Sequence, residues 1–414
     1  MSMRATGLIM LLVSLTVSGM ARAQLPVGLP DLPVTDRLRD RLPDTLDRAV
    51  EDLEDVRQDT LDRLLRRNRD VLERGPDRSV ILRDQITTLV SDEAALASLL
   101  DAGFGIIRQR QLGGLPMRVY VLRVPVGLST VRALALARQI DPAGVHDFNH
   151  LYSRSGIAAQ PPGMTRRPPG GLRVGLVDTG VAAGHPALAA VRVEARAFHD
   201  GVYEAAPHGT AVASLMVGRA DDTLYAADIY GSGPTGGSLE ALLEALGWMA
   251  EVEVGVINVS LVGPDNALLR SVIAMLVERG HVVVAAVGND GPRADPLFPA
   301  AYPGVIGVTG VDQRGRVLPE ACRGEHVDFA VQGRDLPVAA LPDGVDEVRG
   351  TSFAAPQIAA LIAAGHDRPQ AGAMNAAMTM LTARAEDAGR PGRDTVYGVG
   401  VIRRTPALTA VRTE

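Results

Sequence analysis

The sequence predicts an α/β fold: a parallel sheet with helices on both faces, preceded by a small α+β unit. Two observations carry this. From residue 172 onward, unbroken apolar segments (172–177, 224–230, 255–261, 281–287 and 305–311) alternate with helical ones (238–250 and 267–279). Strands that are apolar along their whole length are covered on both faces, as in a parallel sheet between two helix layers. Upstream, residues 79–152 carry a strand–helix alternation of their own, and a Pro/Gly-rich stretch at 153–171 parts the two regions.

In chain order, Arg4 is followed by an apolar run at 8–17 and by Ala21-Arg22-Ala23. A positive start, a short apolar run and a small-x-small site read as a signal peptide over 1–23. The run is too short to span a bilayer. The expectation is export, to periplasm or medium, with Gln24 as the new N-terminus and no stable membrane insertion. Residues 24–75 mix Arg, Asp and Leu. Leu42, Leu46, Val50, Leu53, Val56 and Leu61 recur at helical steps. This fits either an amphipathic helix over about 44–73, capped by Asp44, or a charged flexible linker.

Residues 76–155 hold the small unit. Strands are predicted at 79–88, 117–124 and 145–152. Ser91 opens a helix with Asp92 and Glu93 in its first turn and an apolar face through Leu96, Leu99 and Leu100. A second helix spans 129–140. That order suits a ferredoxin-like sandwich. Residues 156–170, with Pro161-Pro162-Gly163 and Pro168-Pro169-Gly170, read as an exposed, cleavable linker. Residues 171–414 make the larger domain, with sites expected at the carboxyl ends of its strands.

Composition narrows the function. The 414 residues carry a formal net charge of −6, and every positive side chain is Arg. That balance argues against nucleic acid, which calls for a basic surface. Cys322 is the one cysteine, so no intrachain disulfide forms; it reads as a structural thiol. His150, His185, His199 and His326 show no metal-ligand spacing. No metal site and no catalytic cofactor are expected.

Three motifs carry chemistry. Val177-Asp178-Thr179-Gly180 places an acid at the end of a buried strand. His208-Gly209-Thr210-Ala211 opens an apolar helix. Gly350-Thr351-Ser352-Phe353-Ala354-Ala355-Pro356 places a serine just before an Ala-rich helix. A serine hydroxyl is a weak nucleophile until a neighbouring base takes its proton. Histidine is that base near neutrality, and a buried carboxylate holds its tautomer. Asp178, His208 and Ser352 supply the three groups in the order acid, base, nucleophile. A fourth motif, Ala286-Val287-Gly288-Asn289-Asp290-Gly291, ends a buried strand with an amide. The Asn289 side chain and the Ser352 backbone N–H are candidates to flank an oxyanion.

With these motifs on the page, residues from about 172 to 408 resemble the catalytic domain of the subtilisin family. Asp178, His208, Asn289 and Ser352 each fall inside a family motif. Val256-Ile257-Asn258-Val259-Ser260-Leu261 resembles the family's substrate-facing strand, so Ser260, Leu261, Gly263 and Gly288 are implied to bind substrate. The upstream unit also fits, since Asp147-Phe148-Asn149-His150-Leu151-Tyr152 resembles the end of a subtilase prodomain. The resemblance implies a serine endopeptidase acting on polypeptides as a monomer. It implies that the prodomain aids folding, blocks the cleft as an intramolecular inhibitor, and is cut away by the enzyme itself. Structural calcium is common in the family, but no ligand set is assignable in this sequence.

Two departures stand out: Val262 intervenes before Gly263, and Gln332 precedes Gly333 where proline is common. Asp290 reads as surface decoration, with a place in the first specificity pocket favouring basic or polar residues as the alternative, and Asn258 reads as a loop brace; the other residues each have a plainer reading alone: Asp178 as a helix cap, His208 as structural, Ser352 as an N-cap. Read jointly, the four motifs outweigh these. The alternative function is a catalytically silent or narrowly specific regulatory protein on the same scaffold. A silent relative usually lacks the serine or histidine, and here both stand.

Overall fold

The structure, a computed structural model, describes residues 61–154, 157–159 and 171–403 except 232 and 234. The expected signal peptide, most of 24–75 and most of the 156–170 linker lie outside the described residues. Among those described, no helix is long and apolar enough to cross a membrane.

The upstream unit runs β1 (Leu72–Arg74), β2 (Val80–Leu89), α1 (Glu93–Asp101), β3 (Gly105–Gln111), β4 (Arg118–Arg123), α2 (Thr130–Ile140) and β5 (Val145–His150). Its main sheet has the antiparallel order β5-β2-β4-β3, with β1 also paired to β2. This is the ferredoxin-like β-α-β-β-α-β arrangement. Asp92 caps α1 through Ala95 N, and Ser129 caps α2 through Arg132 N. Both helices cover one face, where Leu99, Ala133 and Leu134 meet Ile86, Tyr120 and Leu122. Val119, one step out of phase on β4, joins the core of the larger domain instead. Alternation along one strand therefore serves two cores.

Three local expectations change. The predicted 44–73 helix is helical at 61–67 and stops there, at Asn68, whose side chain donates to Leu64 O at 2.9 Å. Leu72 is buried against Val80 and Leu82, so the sheet takes in residues ahead of the expected boundary at 76. β3 was not predicted: it is an edge strand of mostly part-exposed and exposed residues, formed by backbone pairing to β4. The linker region also pairs, as β6 (Ser153–Arg154) and β7 (Ile157–Ala159).

The larger domain holds β8 (Arg173–Asp178), β9 (Arg192–Ala197), α3 (Pro207–Met216), β10 (Thr223–Asp228), α4 (Leu239–Glu251) and β11 (Val256–Val259). After β12 (Leu261–Val262), α5 (Ala267–Glu278), β13 (Val282–Ala286), β14 (Val305–Val311) and β15 (Phe329–Gln332) comes a hairpin, β16 (Arg334–Ala340) and β17 (Gly344–Arg349). α6 (Ala355–Ala363), α7 (Ala373–Thr382), β18 (Ala385–Glu386) and β19 (Val401–Ile402) complete it. The sheet order is β18-β19-β15-β14-β13-β11-β8-β10-β9, parallel except for β18. Val283 and Ala285 of β13 join the core with α4 and α5, while Val282, Val284 and Ala286 join the core with α3, α6 and α7. The wholly apolar strands of the sequence are thus covered on both faces, as expected. The order reverses around β8, which puts a crevice at its carboxyl end.

Candidate active site

Asp178 is the last residue of β8 and is fully buried. Its Oδ1 accepts from Thr179 N at 2.7 Å and from His208 Nδ1 at 2.8 Å. That acceptor fixes the histidine tautomer, with the proton on Nδ1 and a lone pair on Nε2. His208 stands in the first turn of α3 behind Pro207. Gly209 docks this turn on β8: its N–H donates to Thr179 Oγ1 at 2.8 Å, and a Cβ there would lie 2.2 Å from Thr179 O. Any side chain would push His208 away from Asp178.

Ser352 lies in the 3₁₀ turn Thr351–Phe353 that leads into α6. Its Oγ is 3.2 Å from His208 Nε2, so one hydrogen-bonded chain runs from Asp178 through His208 to Ser352. The Phe353 ring packs against the imidazole at 5.3 Å between centroids. Asn258 Nδ2 donates to Ser260 Oγ at 2.8 Å, and Ser260 Oγ donates to Ser352 O at 3.0 Å. Ser260 therefore braces the serine turn instead of facing the groove. Asn258, weighed in the sequence as a loop brace, holds Ser260 in that role.

Asn289 follows β13. Its Oδ1 accepts from Thr351 N at 3.0 Å, which forces its NH₂ to the other side. That nitrogen is buried and has no partner among the described residues. An unpaired buried amide costs about 1–3 kcal/mol. Gly288 N donates to Thr351 Oγ1 at 3.2 Å, and its carbonyl accepts from Cys322 N at 3.0 Å. Cys322 is a buried packing thiol.

A groove of about 1060 Å³ runs past these groups, lined by His208, Tyr230, Val262 and Phe353 among others. The chain's own residues 151–154 line it and run between the turn at Gly237 and β12. On one side, Tyr152 N donates to Gly237 O at 2.8 Å. On the other, β6 pairs antiparallel with β12, with Arg154 opposite Leu261 and Ser153 opposite Val262. The Tyr152 ring occupies the space that a side chain at Gly263 would need, since a Cβ there would lie 2.2 Å from Tyr152 Cδ1. Burial pushes the hydroxyls of Tyr152 and Tyr230 well up, so both stay neutral. Sequence reasoning missed Tyr230, Gly237 and Asp228. Asp228 ends β10 as Asp178 ends β8, and accepts from Tyr230 N at 3.0 Å, fixing the groove wall. An acid closing an apolar strand was the available signal.

The upstream unit meets the larger domain on α4 and α5. Asp147 Oδ2 accepts from Ala267 N at 2.8 Å, placing a carboxylate on the N-terminus of α5. Asn266 Nδ2 donates to Phe148 O at 3.1 Å and to His150 Nδ1 at 3.0 Å. Arg108 binds buried Glu240 through Nε at 2.7 Å and 2.8 Å, which holds the guanidinium pKa above its usual value. Arg110 binds Glu244 at 2.9 Å. Among the described residues no group of three or more His, Cys, Asp or Glu is placed to hold a metal ion. No calcium ligand set is assigned.

Residues 170–400 match the profile of the Subtilase family. The chain is 25% identical over 242 residues to minor extracellular protease Epr of Bacillus subtilis, covering 56% of this chain and 38% of that protein. It is 31% identical over 211 residues to thermophilic serine proteinase of a Bacillus species, covering 47% and 51%. It is 28% identical over 272 residues to subtilisin amylosacchariticus of Bacillus subtilis subsp. amylosacchariticus, covering 60% and 63%. Each match spans less than two thirds of the relative's own length. Among solved structures, fervidolysin from Fervidobacterium pennivorans shares the fold, with a TM-score of 0.65 at 17% identity over 78% of this chain and 60% of that one.

Proposed function

Because the chain belongs to the subtilase family, we propose that it is an exported serine endopeptidase with Ser352 as nucleophile, His208 as general base and acid, and Asp178 as orienting carboxylate. Ser352 Oγ adds to the scissile carbonyl carbon as its proton passes to His208 Nε2. Asp178 stabilises the imidazolium through Nδ1. The oxyanion takes up the unpartnered Asn289 amide and the Ser352 backbone N–H. Collapse breaks the C–N bond, and His208 protonates the departing amine. Water, deprotonated by His208, then releases the acyl group and restores Ser352. The observation that carries this reading is the unbroken Asp178–His208–Ser352 chain beside a buried amide donor with no partner.

Polypeptides are the substrates. The support is a groove that accepts an extended segment by backbone pairing to Leu261 and Val262, a mode indifferent to most side chains. Residues 76–155 act as an intramolecular inhibitor; the pairing of 152–154 with Gly237 and β12 beside the groove and the charged contacts to α4 and α5 support this. Export rests on Arg4, the apolar run at 8–17 and Ala21-Arg22-Ala23. The expected result is that the matured protein digests an unfolded protein substrate while Ser352→Ala does not. Equal rates in the two would refute the assignment. Recovery of the protein outside the cytoplasm with Gln24 at its N-terminus tests export.

A further inference from the structure

A strand paired to β12 presents one side chain to an aromatic ring near the Asp178–His208–Ser352 chain. Arg154 of β6 lies opposite Leu261, and its guanidinium carbon sits 5.6 Å from the centroid of the Tyr230 ring. A guanidinium within about 6 Å of a ring face is attracted by the ring quadrupole. Antiparallel strands advance in opposite directions, one residue per step. One step back from Leu261 is Ser260, whose hydroxyl donates to Ser352 O at 3.0 Å. A polypeptide that takes the place of β6 on β12 therefore puts over Tyr230 the residue directly before the one whose carbonyl Ser352 attacks.

The ring is built into this place. Asp228 Oδ1 accepts from Tyr230 N at 3.0 Å and from Gly231 N at 3.3 Å, and its Oδ2 accepts from His199 Nε2 at 3.1 Å. Gly237 lets the ring lie against the backbone, since a Cβ there would stand 2.7 Å from Tyr230 Cε1. The surroundings favour positive charge. Burial first, then the charges of Asp178 and Asp228, push the Tyr230 hydroxyl up, and Arg154 pulls it the other way. The ring therefore stays neutral, and two carboxylates act on the spot where the guanidinium lies. From the larger domain, Asp290, Asp295, Asp346 and the Arg270-bound Asp265 line the groove, with no arginine of that domain beside them among the described residues.

Resting on the reading of Ser352 as nucleophile, we infer that the face of Tyr230 is a subsite for a cationic side chain, and that the enzyme prefers bonds at which arginine directly precedes the acylated residue. Backbone pairing to β12 admits most sequences. Tyr230 adds one side-chain preference to it.

The test starts from a bond that the matured enzyme cuts in an unfolded protein. That bond is placed in two internally quenched peptides that differ at one position, directly before the acylated residue. One carries arginine there and the other citrulline, its uncharged isostere, and the cut bond is read by mass. The arginine peptide is expected to show a kcat/KM about two- to fivefold higher, the size of an exposed cation–ring contact. Tyr230→Phe, which keeps the ring face, is expected to keep that ratio, and Tyr230→Leu to bring it to about one. A wild-type ratio of one, or a ratio that Tyr230→Leu leaves unchanged, overturns the subsite and leaves the nucleophile intact. The wild-type ratio decides by itself if Tyr230→Leu does not fold. A preference for arginine at a different position overturns the register argument. Absence of any Ser352-dependent cut in the unfolded protein overturns the reading of Ser352 as well.

Discussion

Replacing Asn289 with alanine removes two hydrogen-bonding functions that the structure keeps on opposite sides of one side chain. The oxygen accepts from Thr351 N at 3.0 Å and shapes the serine turn. The nitrogen is buried with no partner among the described residues, so it contributes nothing before substrate arrives. The first loss leaves the N–H of fully buried Thr351 unpaired, a cost of about 1–3 kcal/mol in stability. For a domain of this size that lowers Tm by several degrees, at roughly 2–4 °C per kcal/mol. The second loss falls on the transition state alone. One preorganised oxyanion donor is worth about 10²–10³ in turnover, a magnitude established on a subtilisin amide and carried over here. The assay is steady-state hydrolysis of a chromogenic peptide after maturation in trans by added wild-type enzyme. Asn289→Ala is expected to lower kcat by about that factor with little change in KM. Asn289→Asp keeps an acceptor for Thr351 N, so it is expected to keep more of the stability and lose at least as much kcat. A kcat within about fivefold of wild type, or an effect confined to KM, would refute the assignment of the idle nitrogen to the oxyanion.

Three further outcomes follow from the same geometry. Asp178→Asn leaves the shape of the site but favours the wrong imidazole tautomer, so kcat is expected to fall by about 10⁴ at neutral pH, read in the same assay. Arg108→Ala leaves buried Glu240 without its guanidinium, and loss of about 2 kcal/mol from the prodomain contact speeds activation roughly 30-fold, read as the rate at which activity appears. The third concerns pH. Burial lowers the pKa of His150 below its ordinary value, outweighing attraction from Asp147, Asp77 and Asp265. Its Nε2 has no hydrogen-bond partner among the described residues, and Asn266 donates to its Nδ1. The released prodomain thus binds a proton that the docked one does not. Docking is at full strength above about pH 6.5 and weakens as pH falls below it. Prodomain release is expected to be faster at mildly acidic pH, and His150→Gln to flatten part of that slope. Release independent of pH would contradict it.

The larger domain was legible because its central strands are largely apolar and the charged or polar residues of its motifs collect at strand ends and helix starts. Asp178, His208, Asn289 and Ser352 lie far apart in sequence, and the parallel topology brings their strand ends to one edge of the sheet. What the sequence hid depends on pairing with distant backbone. β3 carries no apolar alternation, since an edge strand on β4 needs none. β6 and β7 lay in a stretch read as linker because their partners, Leu261–Val262 and Glu347–Arg349, are more than a hundred residues away. Ser260 read as substrate-binding because it belongs to the substrate-facing strand, yet its side chain turns inward to Ser352. The break between β11 and β12 falls at that residue, and nothing in the alternation of 256–262 separates a strand break from a polar residue within a strand.

The central claim is that Ser352 is a nucleophile activated by His208. The most direct measurement is labelling of the matured protein with a fluorophosphonate, followed by peptide mapping. The account predicts one label per chain, on Ser352, abolished in Ser352→Ala and slowed by orders of magnitude in His208→Ala. Absence of labelling, or a label on another residue that persists in Ser352→Ala, would contradict it.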